Sequence, residues 1–252
     1  MIDFTLCVAI DEQHAKELLL VWPTWVRHRP EILKQPVLVL HDFCLPRHLA
    51  EEIVVVLSGS LGKWPQFVPV FPCENMSQRD KMLTALTLMP PQCVKTPWIL
   101  KLDTDAVALR SDPHWCSSRL VADDGQGVSA FVSNRWGYSR PAEAVKILDD
   151  WGDTVPELAC RPRLDLPFTP GARSVGTPGR IISWCFFGRT DWWLQATSFV
   201  KDGRLPLASH DTFLWYCAKR RGDYYRTYQM KRFGWDHCRG KRLEERVKEA
   251  MA

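Results

Sequence analysis

Apolar runs alternate with amphipathic segments through the first hundred residues of the chain. Phe4–Ile10 is almost continuously apolar, as expected for a parallel strand that is covered on both faces. After it, apolar side chains recur at helical spacing at Ala15, Leu18, Leu19, Trp22, Trp25 and Val26. We therefore predict a strand followed by a helix, with Asp11 as the helix N-cap and Pro23 kinking the helix.

The same alternation continues up to about residue 103. It predicts strands at Pro36–Leu40, Phe67–Phe71 and Trp98–Asp103, and the proline within the second of these favours an edge position in the sheet. It predicts helices from Pro46 to a stop at Gly59 and over Gln78–Leu88. Strands and helices that alternate with short connections indicate an α/β fold, with a mostly parallel sheet between two layers of helices.

The remainder of the chain is less regular. Val128–Val132 and Ile181–Phe187 are predicted strands, and Pro141–Trp151 is a predicted helix. Residues 159–180 are rich in proline, glycine and arginine, which predicts a long loop that we interpret as a lid over a ligand. The last helix, Lys241–Ala250, has mixed charge and is expected to be solvated.

Composition limits the class of protein. The chain has 252 residues, of which 46% are hydrophobic and 25% charged, as in an ordinary globular domain. Nine cysteines without closely spaced pairs indicate reduced thiols. The first residues lack the features of a secretory signal, and no apolar run could span a bilayer. We therefore expect a cytoplasmic protein without a transmembrane segment. Residues 201–252 are basic, with 13 Lys and Arg against 7 Asp and Glu.

The strongest candidate chemistry is the pair Asp103 and Asp105, placed where a predicted strand ends. Residues i and i+2 of a strand face the same side about 7 Å apart, and a turn would bring them closer. At about 4–5 Å, with an effective dielectric near 20, their repulsion is on the order of 3–4 kcal/mol. A divalent metal that also binds a diphosphate is the simplest group to offset it.

The triplet alone has little specificity, because a chain with 18 aspartates contains about one Asp-x-Asp by chance. Its position gives it weight. Asp11, His41, Asp42, Asp103 and Asp105 all follow or end predicted strands, and ligands of open α/β sheets bind at the carboxyl ends of strands. The chain has neither Gly-x-Gly-x-x-Gly nor the P-loop motif, which argues against those two phosphate-binding devices.

With these elements leading to Asp103-Thr104-Asp105, the chain resembles the GT-A glycosyltransferases. In that family a Rossmann-like half binds a nucleotide-sugar, and its Asp-x-Asp motif holds Mn²⁺ or Mg²⁺ against the diphosphate. The resemblance implies one GT-A domain over residues 1–252, with a nucleotide-sugar half at 1–110 and an acceptor half at 111–252. It implies an enzyme of class EC 2.4 with a UDP- or GDP-linked donor. The acceptor stays open between a glycan, a small molecule and nucleic acid.

The resemblance also implies roles for individual residues. Asp103, Asp105 and the late His237 would hold the metal, and Gly240 and Lys241 would approach the phosphates. Asp211 would deprotonate the acceptor hydroxyl if the enzyme inverts, although it also suits the first turn of a helix. The candidates for donor binding are Ala9, Ile10, Asp11, His41, Asp42, Arg79, Lys81, Asp103, Thr104 and Lys241. Arg79 and Lys81 fit a solvent-facing helix start equally well.

Two other readings remain open. Leu100–Val107 also fits the motif of aspartyl-nucleophile phosphatases, but that motif normally lies on the first strand, and here three β-α units precede it. A nucleic-acid-binding protein is the other, since basic and aromatic residues alternate near the C-terminus. These residues are Lys219, Arg220, Arg221, Tyr224, Tyr225, Arg226, Tyr228, Lys231 and Arg232. Combined with glycosyl transfer, they would guide a nucleic-acid acceptor.

Overall fold

The computed structural model describes residues 3–72, 76–112, 128–129, 184–198, 200, 214, 225–226 and 233–252, with only the backbone described at 79–80, 128–129 and 225–226. The strands in this part are β1 (Phe4–Ile10), β2 (Val37–Asp42), β3 (Gln66–Val70), β4 (Trp98–Leu102), β5 (Ala106–Ala108), β6 (Val128–Ser129), β7 (Cys185–Arg189), β8 (Tyr225–Arg226) and β9 (Trp235–His237). The helices are α1 (Glu12–His28), α2 (Pro30–Leu33), α3 (Arg47–Leu61), α4 (Gln78–Leu88), α5 (Pro90–Cys93), α6 (Thr190–Thr197) and α7 (Lys241–Met251).

The central sheet has five described strands in the order β3-β2-β1-β4-β7. The first four are parallel, and β7 pairs antiparallel with β4. The prediction of a mostly parallel α/β sheet is confirmed, as is the edge position of β3, whose proline cannot donate to a further strand. Strand β1 lies at the centre and is buried along almost its whole length, which explains its continuous apolar run.

The strand order reverses at β1. From β1 the chain adds β2 and β3 on one side, and then crosses over to place β4 on the other side of β1. Connections that leave neighbouring strands in opposite directions open a crevice at their carboxyl ends, where ligands of α/β sheets bind. The ends of β1 and β4, at Ile10 and Leu102, border this crevice. Asp11 and Asp103, which follow these strand ends, therefore lie at the expected ligand site.

Helix α1 packs against the sheet through one apolar stripe. Its buried residues include Ala15, Leu18, Trp22 and Trp25, as the spacing predicts. Asp11 is its N-cap, and its side chain accepts a hydrogen bond from the backbone N–H of His14, which confirms that prediction. The helix continues through Pro23.

Two predictions about helices were wrong. Helix α3 runs past Gly59 to Leu61 and ends at Gly62, whose φ of 64° and bond to the Ser58 carbonyl form the turn that closes it. Helix α7 is not solvated on all sides, because Leu243, Val247 and Ala250 are buried on one face. Its apolar stripe is narrow, so the mixed charge of the segment hid it.

Two side chains of α1 also contact backbone carbonyls at the end of the C-terminal helix. His28 Nε2 lies 2.8 Å from the carbonyl of Ala250, and the Arg27 guanidinium donates to the carbonyl of Met251. The last residues of the chain therefore fold back onto the first helix. None of the described helices combines the length and the apolar character that crossing a membrane would require.

Strand β7 begins later than its sequence pattern indicates. It covers Cys185–Arg189, and Trp184 lies in the turn before it. Strand pairing extends to Arg189 because Trp98 of β4 provides its partner. The predicted helix at 141–151 and the predicted lid at 159–180 lie outside the described residues.

Candidate metal and donor site

The chain turns sharply after β4. The backbone N–H of Ala106 donates to the carbonyl of Asp103 at 3.2 Å, and the N–H of Asp103 donates to the carbonyl of Trp184 at 2.7 Å. Strand β5 then pairs antiparallel with β9, with Ala106 opposite His237. This pairing brings His237, which is more than 130 positions later in the sequence, beside the two aspartates.

The side chains of Asp103, Asp105 and His237 converge. One ligand atom from each lies within 4.8 Å of the other two. His237 Nε2 is 2.8 Å from Asp105 Oδ1 and 3.8 Å from Asp103 Oδ2. Two carboxylate oxygens and an imidazole nitrogen form a donor set that suits Mn²⁺, and the carboxylates also suit Mg²⁺.

The hydrogen bonding inside this cluster is incomplete. Asp105 Oδ1 and His237 Nε2 are both buried and lie 2.8 Å apart as an ion pair, but among the described residues neither atom has a partner that meets hydrogen-bond geometry. Buried polar atoms without partners are rare and call for an explanation such as an ion. A cation between these atoms would satisfy both, so the residues present fit a divalent metal.

Each aspartate also has a cation of the protein on its other oxygen. The Lys101 ammonium contacts Asp103 Oδ1, and Arg239 Nε donates to Asp105 Oδ2 at 3.0 Å. Asp103 Oδ2 and Asp105 Oδ1 therefore remain directed at His237. Sequence reasoning missed both cations. Lys101 could have been found, because it lies two positions before Asp103 on the same face of the strand. Arg239 has no comparable signal.

The two cations differ in their surroundings. The Lys101 side chain is 1% exposed, whereas that of Arg239 is 77% exposed. Burial raises the pKa of the Asp105 carboxyl, but His237 and Arg239 lower it more strongly, so the pKa is below its usual value. Asp105 is therefore ionised at neutral pH, as a metal ligand must be. The ring of Trp184 stacks on His237 with centroids 5.4 Å apart, which fixes the plane of the imidazole.

Side chains of helix α1 make three hydrogen bonds to residues 104–108, the segment that contains Asp105. Thr104 Oγ1 donates to Glu17 Oε2 at 3.1 Å, and Trp25 Nε1 donates to the carbonyl of Ala106 at 2.6 Å. Further along, the hydroxyl of Thr24 accepts from the N–H of residue 108 at 3.2 Å. The predicted contact of Thr104 with the donor stays a prediction, and its hydroxyl is already bonded to α1.

The end of β1 forms the opposite wall of the crevice. Asp11 accepts hydrogen bonds from the N–H and the Nδ1 of His14, and the side-chain bond in particular lowers the pKa of Asp11 to about 2. The same bond raises the pKa of His14, and the charge of Asp103 raises it further. Ile10 is fully buried and Ala9 is partly exposed, and contact of either residue with a donor stays a prediction.

The end of β2 is closed by an internal network. Asp42 accepts from Lys81 Nζ at 2.7 Å, from Gln78 Nε2 and from a backbone N–H. Lys81 is 5% exposed, so the reading of this residue as a solvent-facing helix start is wrong. The ring of His41 stacks on Phe67 with centroids 4.2 Å apart. These bonds attach α4 to β2, and a role for Asp42, Lys81 or His41 in donor binding stays a prediction.

The remaining predicted residues are not brought into the cluster. Lys241 is exposed at the first position of α7. Asp211 and the side chain of Arg79 lie outside the described residues. So does the basic and aromatic set at 219–232, apart from the backbone of Tyr225 and Arg226.

Comparisons with known proteins support the fold. No family model and no curated protein sequence matches the chain. Solved structures do: the galactosyltransferase LgtC, solved with donor and acceptor sugar analogues, has a TM-score of 0.58 at 12% identity over 98% of this chain and 95% of its own. Core-mannan synthase A of Aspergillus fumigatus, in a Mn/GDP form, has a TM-score of 0.57 at 9% identity over 94% of this chain and 75% of its own.

A third structure, residues 1–349 of TarS from S. aureus, has a TM-score of 0.52 at 11% identity over 90% of this chain and 58% of its own. Identities this low concern the fold alone. The protein has the GT-A fold, with a mostly parallel central sheet, as the sequence predicts.

Proposed function

We propose that the protein is a metal-dependent glycosyltransferase that moves a sugar from a nucleoside-diphosphate donor to an acceptor hydroxyl. Its fold is that of known glycosyltransferases. The single observation that supports the proposal most strongly is the convergence of Asp103, Asp105 and His237 within 4.8 Å at the point where the strand order reverses. Both the place and the donor atoms suit a divalent cation beside a diphosphate.

The residues of the site divide the work. Asp103, Asp105 and His237 would hold Mn²⁺ or Mg²⁺, which when bound stabilises the negative charge that develops on the leaving diphosphate. The buried Lys101 orients Asp103 by occupying one of its oxygens. Trp184 stacks on the imidazole of His237 and so limits its rotation. Because these groups are fixed before the donor arrives, little reorganisation is needed when it binds.

Donor and acceptor would meet at the mouth of the crevice. Asp11 and the partly exposed Ala9 lie where the nucleoside would bind between β1 and β4. If the reaction inverts the configuration at the anomeric carbon, Asp211 is our candidate for the base that removes the proton of the acceptor hydroxyl. If the reaction retains that configuration, Asp211 would position the acceptor. The donor is proposed to be UDP- or GDP-linked.

A thermal-shift panel tests the proposal. UDP, GDP and ADP would each be added to the full chain with Mn²⁺ and with EDTA. A nucleotide present at ten times its Kd stabilises the native state by about 1.4 kcal/mol. For a protein of this size that raises the Tm by roughly 3–6 °C. We expect a shift with UDP or GDP that EDTA abolishes. No shift with any nucleotide would reject the proposal, and hydrolysis of p-nitrophenyl phosphate without such a shift would favour a phosphatase.

A further inference from the structure

We propose that the Arg239 side chain changes its partner. It pairs with Asp105 while the site lacks a donor, and it binds the diphosphate when the donor enters. The inference rests on the proposed function, since it supposes a diphosphate next to the metal cluster. Sequence reasoning assigned this contact to Lys241 instead. The structure gives three reasons to prefer Arg239.

The first reason is its position. Arg239 Nε donates to Asp105 Oδ2 at 3.0 Å, so its guanidinium lies at the edge of the cluster formed by Asp103, Asp105 and His237. Gly240 follows with a φ of 58°, and the chain turns there into α7. A ligand that reaches the two aspartates must therefore also come within reach of Arg239.

The second reason is that most of this side chain is accessible. Arg239 is 77% exposed, although the carboxylate that it contacts is only 5% exposed. In the part of the chain that the structure describes, its Nε is the atom with a hydrogen-bond partner, which leaves Nη1 and Nη2 for a ligand. The planar fork of a guanidinium matches two oxygens of a phosphate, which an ammonium cannot do.

The third reason is that three neighbouring cations, Lys101, Arg242 and Arg246, already pair with carboxylates of the protein. Lys101 is buried against Asp103. Arg242 and Arg246 lie 3.6 and 3.1 Å from Asp236. Because adjacent residues of a strand face opposite sides, Asp236 directs these two arginines away from the face that His237 shares with the cluster.

The positive charge of Arg239 should have opposite effects on the binding of the metal ion and of the diphosphate. A divalent ion held by Asp105 repels the guanidinium, so Arg239 competes with the ion for that carboxylate. A diphosphate brings negative charge and attracts the same guanidinium. Removing Arg239 should therefore leave the affinity for Mn²⁺ alone undiminished and should weaken the affinity for a nucleoside diphosphate in the presence of Mn²⁺.

Isothermal titration of the full chain separates these effects. The titrants are Mn²⁺ alone, and then UDP and GDP in saturating Mn²⁺, with wild type, Arg239→Ala and Arg239→Lys. Because Arg239→Ala loses a charge-assisted hydrogen bond, we expect its Kd for the nucleotide to rise by about tenfold or more. We expect Arg239→Lys to fall between the two, because it keeps the charge and loses the fork. Mn²⁺ alone should bind Arg239→Ala at least as tightly as wild type.

Arg242→Ala is the matched control. It removes the same side chain from the same segment, but from the partner of Asp236, and should leave both affinities unchanged. Unaltered nucleotide binding by Arg239→Ala would overturn the inference, and so would a tenfold loss of Mn²⁺ affinity, which would make Arg239 a residue that only positions Asp105. If wild type bound neither nucleotide, the proposed function itself would fail. These two failures are therefore distinguishable.

Discussion

Replacing Asp105 by Asn separates metal binding from folding. Asn keeps the shape of the side chain and removes its charge. Besides the contact with the neighbouring imidazole of His237, the ion pair that is lost joins Asp105 to Arg239, whose side chain is 77% exposed. Pairs with so exposed a partner contribute about 0–1 kcal/mol. The amide can still accept from Arg239, so we expect the free energy of unfolding to change by no more than about 1 kcal/mol.

The effect on the metal should be much larger. A divalent cation and a carboxylate about 2.2 Å apart attract each other by about 4 kcal/mol even in the dielectric of bulk water, which is roughly 10³ in affinity. Arg239 already neutralises part of that charge. We therefore expect Mn²⁺ affinity to fall by about 10²-fold. The loss of affinity should thus exceed the loss of stability, and sugar transfer should disappear while the fold remains.

The assay is Mn²⁺ titration, together with thermal melts in the presence and absence of Mn²⁺. Asp236→Asn is the matched control. Asp236 is 4% exposed and paired with arginine like Asp105, but it lies on the other face of β9. The Asp236→Asn protein should lose a comparable amount of stability, but it should keep the Mn²⁺ affinity of wild type and the shift in Tm that Mn²⁺ produces. Asp105→Asn protein with the Mn²⁺ affinity of wild type would refute the assignment of the metal site.

Three further changes test how the site is supported. Thr104→Val removes the hydroxyl that donates to Glu17, and should lower the free energy of unfolding by about 1–2 kcal/mol in urea titrations. If nucleotide affinity falls while the free energy of unfolding is unchanged, Thr104 contacts the donor instead. Trp25→Phe leaves the Ala106 carbonyl without its buried partner and should cost about 1–3 kcal/mol, with a matching fall in Tm. Asp11→Ala should cost about 1 kcal/mol by loss of the N-cap, and Asp11→Asn should restore most of it. The hydrogen bond from the imidazole of His14 lowers the pKa of Asp11 to about 2 and raises the pKa of His14. The electrostatic advantage of wild type over Asp11→Ala should therefore be largest between about pH 4 and the pKa of His14, and should decline as the pH falls toward about 2 and as His14 loses its proton. A constant difference between about pH 4 and about pH 2 would contradict the capping role.

The sequence by itself determined the layers of the fold and the location of the first two metal-ligand candidates. Strands such as β1 are continuous apolar runs because both faces are buried, and this requirement is written in consecutive residues. The same holds for Asp103 and Asp105, which follow a strand directly. His237 came from the family resemblance, and the structure brings it to the aspartates through the pairing of β5 with β9.

Only the tertiary structure decided how the charges of the site are compensated. Arg239 meets Asp105 across 134 positions of sequence, and Thr104 meets Glu17 across 87. The pairing of Lys81 with Asp42 and the buried stripe of α7 were likewise misread from local charge. The physical reason is that local patterns record which residues avoid water. The partner that a charged side chain finds depends on which distant elements pack beside it.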